Sequence, residues 1–190
     1  MANTLCEIVE KIQLATKRPY LVGIDGLSAA GKSTLAANLQ EQLNDLIVVH
    51  KDDFYRVMDE TIRAKLNAEE GYHQYNDWQR LRDQVLIPIS TGHNSFYQRY
   101  DWPTGKLAET IEVLPTGIIV VEGVSSIRPE LRDYYDLTIW VETSNTQRYY
   151  RQIERNENPI EWIERWTASE LYYFETIQPY RLANLTIAGE

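Results

Sequence analysis

Cysteine is almost missing from this sequence. Cys6 stands alone, so no disulfide can form within the chain, and the fold must rely on a packed core. A reducing, cytoplasmic setting is expected. Histidine is nearly as scarce: His50, His73 and His93 are scattered, without the spacing of a metal-ligand set. Basic residues are outnumbered, 19 Lys and Arg against 28 Asp and Glu, for a formal net charge of −9. A protein that coats nucleic acid or an anionic membrane surface needs a basic face, so neither is an expected partner. No apolar run approaches the ~20 residues of a membrane span. Glu7 and Glu10 also interrupt the N-terminal stretch that a secretory signal would keep apolar.

The chain has 190 residues, the size of one domain with enough interior to fold without staples. No repeat, low-complexity tract or linker divides it. Its most informative stretch is Gly26-Leu27-Ser28-Ala29-Ala30-Gly31-Lys32-Ser33, which fits the phosphate-loop pattern G-x-x-x-x-G-K-[ST]. Such a loop turns backbone N–H groups toward phosphate, sets a lysine on the β and γ oxygens and offers a hydroxyl to Mg²⁺. The context fits. Tyr20 to Asp25 is a short apolar run of the buried-strand kind, and Thr34, Leu35, Leu39 and Leu43 continue as a helix. That helix aims its N-terminal dipole and free N–H groups at the anion.

Around this unit the pattern alternates. Leu5, Ile8, Val9 and Ile12 mark an amphipathic helix that ends before Arg18-Pro19 and covers an edge or face of a sheet. Leu46 to Val49 is a second strand, closed by His50-Lys51-Asp52-Asp53-Phe54-Tyr55. Residues 59–70 are polar and helical in part, and Tyr75 to Ile89 has helical spacing. Ser95 to Trp102 and Thr110 to Val113 read as two strands of a small flap. Gly117 to Glu122 and Asp136 to Val141 are further strands, Ser144 to Asn156 and the stretch up to Ile177 are helices broken at Asn158-Pro159, and Leu185 to Ala188 is a last strand. Alternating strands and helices predict a parallel sheet covered on both faces.

Ligands collect at the carboxyl ends of such strands. Asp52 and Asp53 sit at one of these ends, where a kinase needs one carboxylate for the acceptor hydroxyl and another for Mg²⁺. The competing reading is that they cap the next helix. Glu122 closes the most apolar strand, a costly place for a carboxylate without a cation, and reads as an acid acting on Mg²⁺ or as a structural group bonded to nearby backbone. Arg148, Arg151 and Arg155 project at about 0°, 300° and 340° around a helix, one narrow arc. They read as a lid closing on phosphates, or as partners of acids elsewhere in an acidic chain. Phe54, Tyr55, Tyr75, Trp78, Tyr97, Tyr100 and Trp102 form a dense aromatic set in which core packing and stacking on a flat substrate both stay open.

Taken in order, these residues resemble the uridine kinase and phosphoribulokinase group of P-loop kinases, and the related nicotinamide riboside kinases. The likeness rests on the phosphate loop, on Asp52-Asp53-Phe54-Tyr55 against the group's D-x-F-Y, on Tyr100-Asp101 of the flap, on Val120-Val121-Glu122-Gly123, and on Arg151-Gln152-Ile153-Glu154-Arg155-Asn156 against its R-R-I-x-R-D lid. It spans most of the chain. It implies an α/β fold, the three-layer α/β/α P-loop architecture with about five parallel core strands. A flap over about residues 95–113 and a helical lid over about 144–160 complete a single kinase domain, 1–190.

The resemblance also implies transfer of the γ-phosphoryl group of ATP to a primary hydroxyl of a small molecule, typically the 5′-hydroxyl of a nucleoside such as uridine or cytidine. Asp52 is then the base, with Lys32, Arg151 and Arg155 on the moving phosphoryl group. Gly26, Ser28, Ala29, Ala30, Gly31, Lys32, Ser33 and Thr34 cradle ATP, while Asp53, Tyr55, Tyr100 and Asp101 meet the acceptor. Ser33 holds Mg²⁺ together with Glu122 or Asp52. Three positions depart from the pattern: Gln152, Asn156, and the stretch Trp102 to Lys106, which lacks the histidine that uridine kinases carry there. That last departure bears on the acceptor rather than on the chemistry. The same chemistry on nicotinamide riboside, pantothenate or a sugar is the near alternative. A nucleotide-binding regulatory protein without turnover is the distant one. Preference for ATP or GTP, assembly into a homo-oligomer, and which carboxylate touches the metal stay open.

Overall fold

In the computed structural model, which describes residues 2–155 and 159–189, helix α1 (Ala2–Leu14) comes first. Ile8, Val9 and Ile12 form its buried stripe. The chain continues through β1 (Tyr20–Asp25), α2 (Lys32–Gln42), β2 (Leu46–His50) and a 3₁₀ turn (Lys51–Phe54) into α3 (Glu60–Arg63), α4 (Ala68–Gln74), α5 (Trp78–Leu81) and α6 (Ile87–Ser90). The flap strands β3 (Ser95–Asp101) and β4 (Lys106–Val113) follow. Then come β5 (Ile118–Glu122), α7 (Pro129–Arg132), β6 (Leu137–Glu142), α8 (Asn145–Arg155), α9 (Ile160–Ile177), α10 (Pro179–Leu182) and β7 (Leu185–Ala188).

Five strands pair in the order β2-β5-β1-β6-β7, all parallel. The expected α/β fold with a parallel five-stranded core is what forms. Strands β1 and β5 are buried along their whole length, the condition that produces unbroken apolar runs rather than alternation. On one face Val22, Ile24, Val120 and Ile139 pack beneath α1 and α2 through Ile8, Ile12, Leu35 and Leu39. On the other face Leu21, Val49, Ile119 and Val121 meet Leu81, Val85, Leu86 and Ile89, with Tyr97 and Val113 from the flap root and Leu131 of α7.

Because β1 lies between β5 and β6 while the chain goes on from it to the edge strand β2, the loop after β1 sits at the point where connections diverge. The register levels the strand ends, with both Ile24 and His50 opposite Glu122. Residues that follow these strands therefore meet in one crevice.

Two sequence expectations differ in detail from the structure. The helical stretch expected over Tyr75 to Ile89 begins at Trp78 and contains a π-turn (Arg82–Leu86) before α6. Pro88 is the cause, since it has no N–H to give the carbonyl four residues back. That carbonyl belongs to Gln84 and accepts the Ser95 hydroxyl at 2.6 Å, which stitches the flap to the rod. The second flap strand begins at Lys106, four residues earlier than its β-branched run suggested. Its first half, Lys106 to Glu109, is mostly exposed and has no β-branched residue, and pairing there includes cross-strand contacts such as Arg99 Nε to Glu109 Oε1 at 2.8 Å. The expected lid residue Asn156 and the break at Asn158 lie outside the described residues. Among the described residues no helix is long and apolar enough to cross a membrane.

Ile139 is fully buried on β6 between α1 and the sheet. Replacing it with alanine removes three carbons from a site that cannot collapse, and Ile139→Ala should lower unfolding free energy by about 3 kcal/mol in a urea titration.

Candidate active site

The site begins at Asp25, the last residue of β1 and completely buried. Its Oδ1 accepts the backbone N–H of Gly26 at 2.7 Å and of Ser125 at 2.9 Å. Its Oδ2 accepts Ile127 N–H at 3.0 Å and the Tyr173 hydroxyl at 2.8 Å. Burial raises its pKa, and these donors, with the Lys32 charge, pull the other way. The residue was passed over as the end of a strand, although it had the signal that marked Glu122: a carboxylate closing an apolar run.

From Asp25 the chain turns into the phosphate loop. Gly26 takes φ 152°, and a Cβ there would lie 2.5 Å from the Val141 carbonyl oxygen, so glycine is required. Gly31, at φ 103°, opens α2. The loop's polar groups already have partners. Lys32 Nζ donates to Leu27 O at 3.0 Å, and Ser33 Oγ to Glu122 Oε1 at 3.2 Å. The Ser28 N–H donates to Glu170 of α9 at 2.9 Å, and the Ser28 hydroxyl donates to the same carboxylate. Glu170 is buried, with its pKa raised by that burial, and Arg148 of α8 stands 3.7 Å away.

The loop opens onto a cleft of about 240 Å³. Lys32, Ser33 and Thr34 form its floor, Asp52 and Glu122 one side, Tyr72, Tyr75 and Asn76 of the α4 region another, and Trp162, Trp166 and Tyr173 of α9 the roof, with Gln152 and Arg155 of α8 at its mouth. Asp52 has a surface open to the cleft, yet it lies deep among protein atoms. Thin hydration and the neighbouring Glu122 carboxylate raise its pKa. For Glu122, burial acts upward, but the hydrogen bond from His50 Nδ1 at 2.7 Å and the Lys32 charge outweigh it and hold the pKa low. His50 is raised in return, chiefly by that hydrogen bond.

The other residues singled out in sequence are placed differently. Arg155 lines the cleft, whereas Arg151 Nη1 donates to Ala29 O at 3.1 Å, and Arg148 Nη1 to Ser28 O at 3.1 Å. The arc of arginines does face the loop, and Arg148 also has the acidic partner that the competing reading supposed. Gly26 and Ala30 shape the loop from behind the cleft lining. Asp53 accepts the Tyr97 hydroxyl at 3.2 Å, turned toward the flap root. Tyr55 and Tyr100 are buried in an aromatic cluster: Tyr55 stacks on Trp102 at 4.6 Å between ring centres, and lies 5.1 Å from Tyr100 and 5.3 Å from Trp166. Asp101 closes the flap turn by accepting from Thr104 N at 3.2 Å and Thr104 Oγ1 at 2.6 Å. Asp53, Tyr55, Tyr100 and Asp101 do not line the cleft as the chain stands here; the aromatic wall comes from Tyr72, Tyr75, Trp162, Trp166 and Tyr173.

A family model described as Phosphoribulokinase / Uridine kinase family matches residues 21–159. The chain belongs to that family. As a uridine kinase and phosphoribulokinase family member it is an ATP-dependent phosphotransferase acting on a hydroxyl group. Uridine kinase of Borrelia duttonii (strain Ly) is 25% identical over 170 residues, covering 81% of this chain and 79% of its own. Uridine kinase of Halobacterium salinarum is 29% identical over 141 residues, covering 72% of this chain and 62% of its own. The structure of a possible uridine kinase from Bacillus stearothermophilus superposes with a TM-score of 0.78 at 25% identity, over 98% of both chains.

Tyr173 tests how strongly the Asp25 centre depends on each donor. Tyr173→Phe removes one hydrogen bond to a buried carboxylate without changing shape, and should cost about 2 kcal/mol in urea unfolding. A loss under about 0.5 kcal/mol would show the hydroxyl to be dispensable.

Proposed function

We propose that this family member transfers the γ-phosphoryl group of ATP to the primary hydroxyl of a small acceptor carrying a flat ring, a nucleoside of the uridine or cytidine kind in first place. The observation that carries the reading is the cleft itself, in which the phosphate loop, the carboxylates of Asp52 and Glu122 and five aromatic side chains share one volume. Lys32 and the loop N–H groups hold the triphosphate. Asp52 accepts the acceptor's proton, and its raised pKa makes it a better base than a solvated aspartate. Arg155 at the mouth, joined by Arg151 once its bond to Ala29 is released, balances charge on the moving phosphoryl group. Tyr75 and Trp166 offer ring faces for the acceptor, with the Asn76 amide beside them.

The donor set also fits magnesium. Among the described residues no cluster of acids, histidines and cysteines could cage a metal alone. Mg²⁺, however, keeps several waters and takes one or two carboxylates together with nucleotide phosphates. Ser33 with Glu122 or Asp52 would hold it, and when bound it neutralises charge on the β and γ oxygens.

The flap stretch Trp102 to Lys106, with no histidine, favours a second reading in which the acceptor is not a pyrimidine. One experiment separates the two. Purified protein with Mg²⁺ and ATP is offered uridine, cytidine, nicotinamide riboside, pantothenate and sugars, and ADP release is followed. Stimulation by uridine or cytidine is expected; stimulation by another compound alone moves the assignment to that acceptor. Tight Mg²⁺-ATP binding with no acceptor-dependent turnover would instead identify a nucleotide-binding regulator. For the base, Asp52→Asn should lower kcat about 10³-fold while calorimetric ATP affinity stays within about twofold. Full turnover in this variant removes Asp52 from the role.

A further inference from the structure

Ser28 of the phosphate loop is gripped from two sides, and both grips are ionic. Its N–H donates to Glu170 Oε2 at 2.9 Å and its hydroxyl donates to the other oxygen of that carboxylate, while its carbonyl accepts Arg148 Nη1 at 3.1 Å. Glu170 comes from α9 and is only 5% exposed. It lines the same cleft as Lys32 and Ser33. A carboxylate is thus seated on donors of the loop, in the cleft where phosphate is expected. The loop in this state carries an anion of its own.

The surrounding charges suit a temporary seat. Burial raises the pKa of Glu170, and the Ser28 hydrogen bonds, Lys32 and Arg148 act against it. Arg148 stands 3.7 Å from the carboxylate, beyond hydrogen-bond range. Its Nη1 is spent on Ser28 and its Nη2 on Asn145 Oδ1 at 2.8 Å. Its Nε is buried and has no partner among the described residues, a costly state for a charged donor. Glu170 therefore takes its hydrogen bonds from Ser28, while the guanidinium beside it keeps one N–H unused.

A triphosphate and Glu170 compete for the same ground. Both are anions drawn to Ser28 and to the Lys32 charge, and two anions in one cleft of low dielectric repel. We propose that Glu170 is the resident anion of the empty phosphate loop, holding Ser28 until the nucleotide arrives and then turning to Arg148, so that the Glu170–Arg148 pair sets the affinity for the triphosphate. The inference rests on the reading of the loop as the triphosphate site. A carboxylate that merely braced the loop for phosphate has the opposite signature: neutralising it weakens binding, whereas neutralising a competitor tightens it.

Calorimetry in Mg²⁺ without acceptor reads that sign. Glu170→Gln keeps the shape and an oxygen for the Ser28 N–H but loses the charge, and should bind both ATP and inorganic tripolyphosphate about tenfold more tightly than the unaltered protein. Unchanged or weaker binding of tripolyphosphate by the variant overturns the inference, as does a gain confined to ATP, since the competition concerns phosphate alone. If neither protein binds either ligand, the reading of the loop as a triphosphate site fails, and this inference with it. Hydrogen exchange on the unaltered protein decides the matter should the variant not fold. Saturating Mg²⁺ and tripolyphosphate should slow exchange in residues 26–34 and speed it in α9, which gives up its hold on Ser28; slower or unchanged exchange in α9 overturns the proposal.

Discussion

The arrangement hangs on one buried carboxylate. Asp25 binds the first residue of the phosphate loop, two backbone groups after β5 and the hydroxyl of Tyr173 on α9, and so joins three segments distant in sequence. A charge so deep is tolerable only when every lone pair is engaged, so the centre is all-or-none in character. With it formed, Ser125 is held at the cleft wall, where its Oγ accepts from Lys51 at 2.8 Å. Burial, and next the Arg128 charge, lower the Lys51 pKa to about 7. The crevice is thus walled by groups whose ionisation the fold controls.

Much of this was legible in the sequence. The loop motif and its flanking apolar runs place β1 and α2, and unbroken runs distinguish the inner strands. The lid arginines show as an arc because helical geometry is periodic. What escaped was whatever depends on position in space alone. Glu170 sits in a helix with other acids, and nothing local marks it as the one that reaches Ser28 across 142 residues. The aromatic set was visible as a composition but not in its division: Tyr55 and Trp102 stack with Tyr100 edge-on to both, while Trp162 and Trp166, never singled out, line the cleft.

The phosphate loop here is internally satisfied. Lys32, Ser28, Ser33, Arg148 and Arg151 all spend hydrogen bonds on neighbours. A nucleotide must exchange these for bonds to phosphate, so the net gain on binding is smaller than the number of donors suggests. Preorganisation survives the exchange, since the groups already point at the loop.

The stack of Trp102 on Tyr55 and the tilted contact of Tyr55 with Trp166 also join two parts of the architecture that are distant in sequence. Trp102 belongs to the flap tip and Trp166 to the helix that follows the lid. Parting the rings would expose their faces to water, so apolar burial holds α9 and the flap tip to one another. The roof of the cleft and the tip of the flap are therefore one packed unit, and whatever shapes one shapes the other.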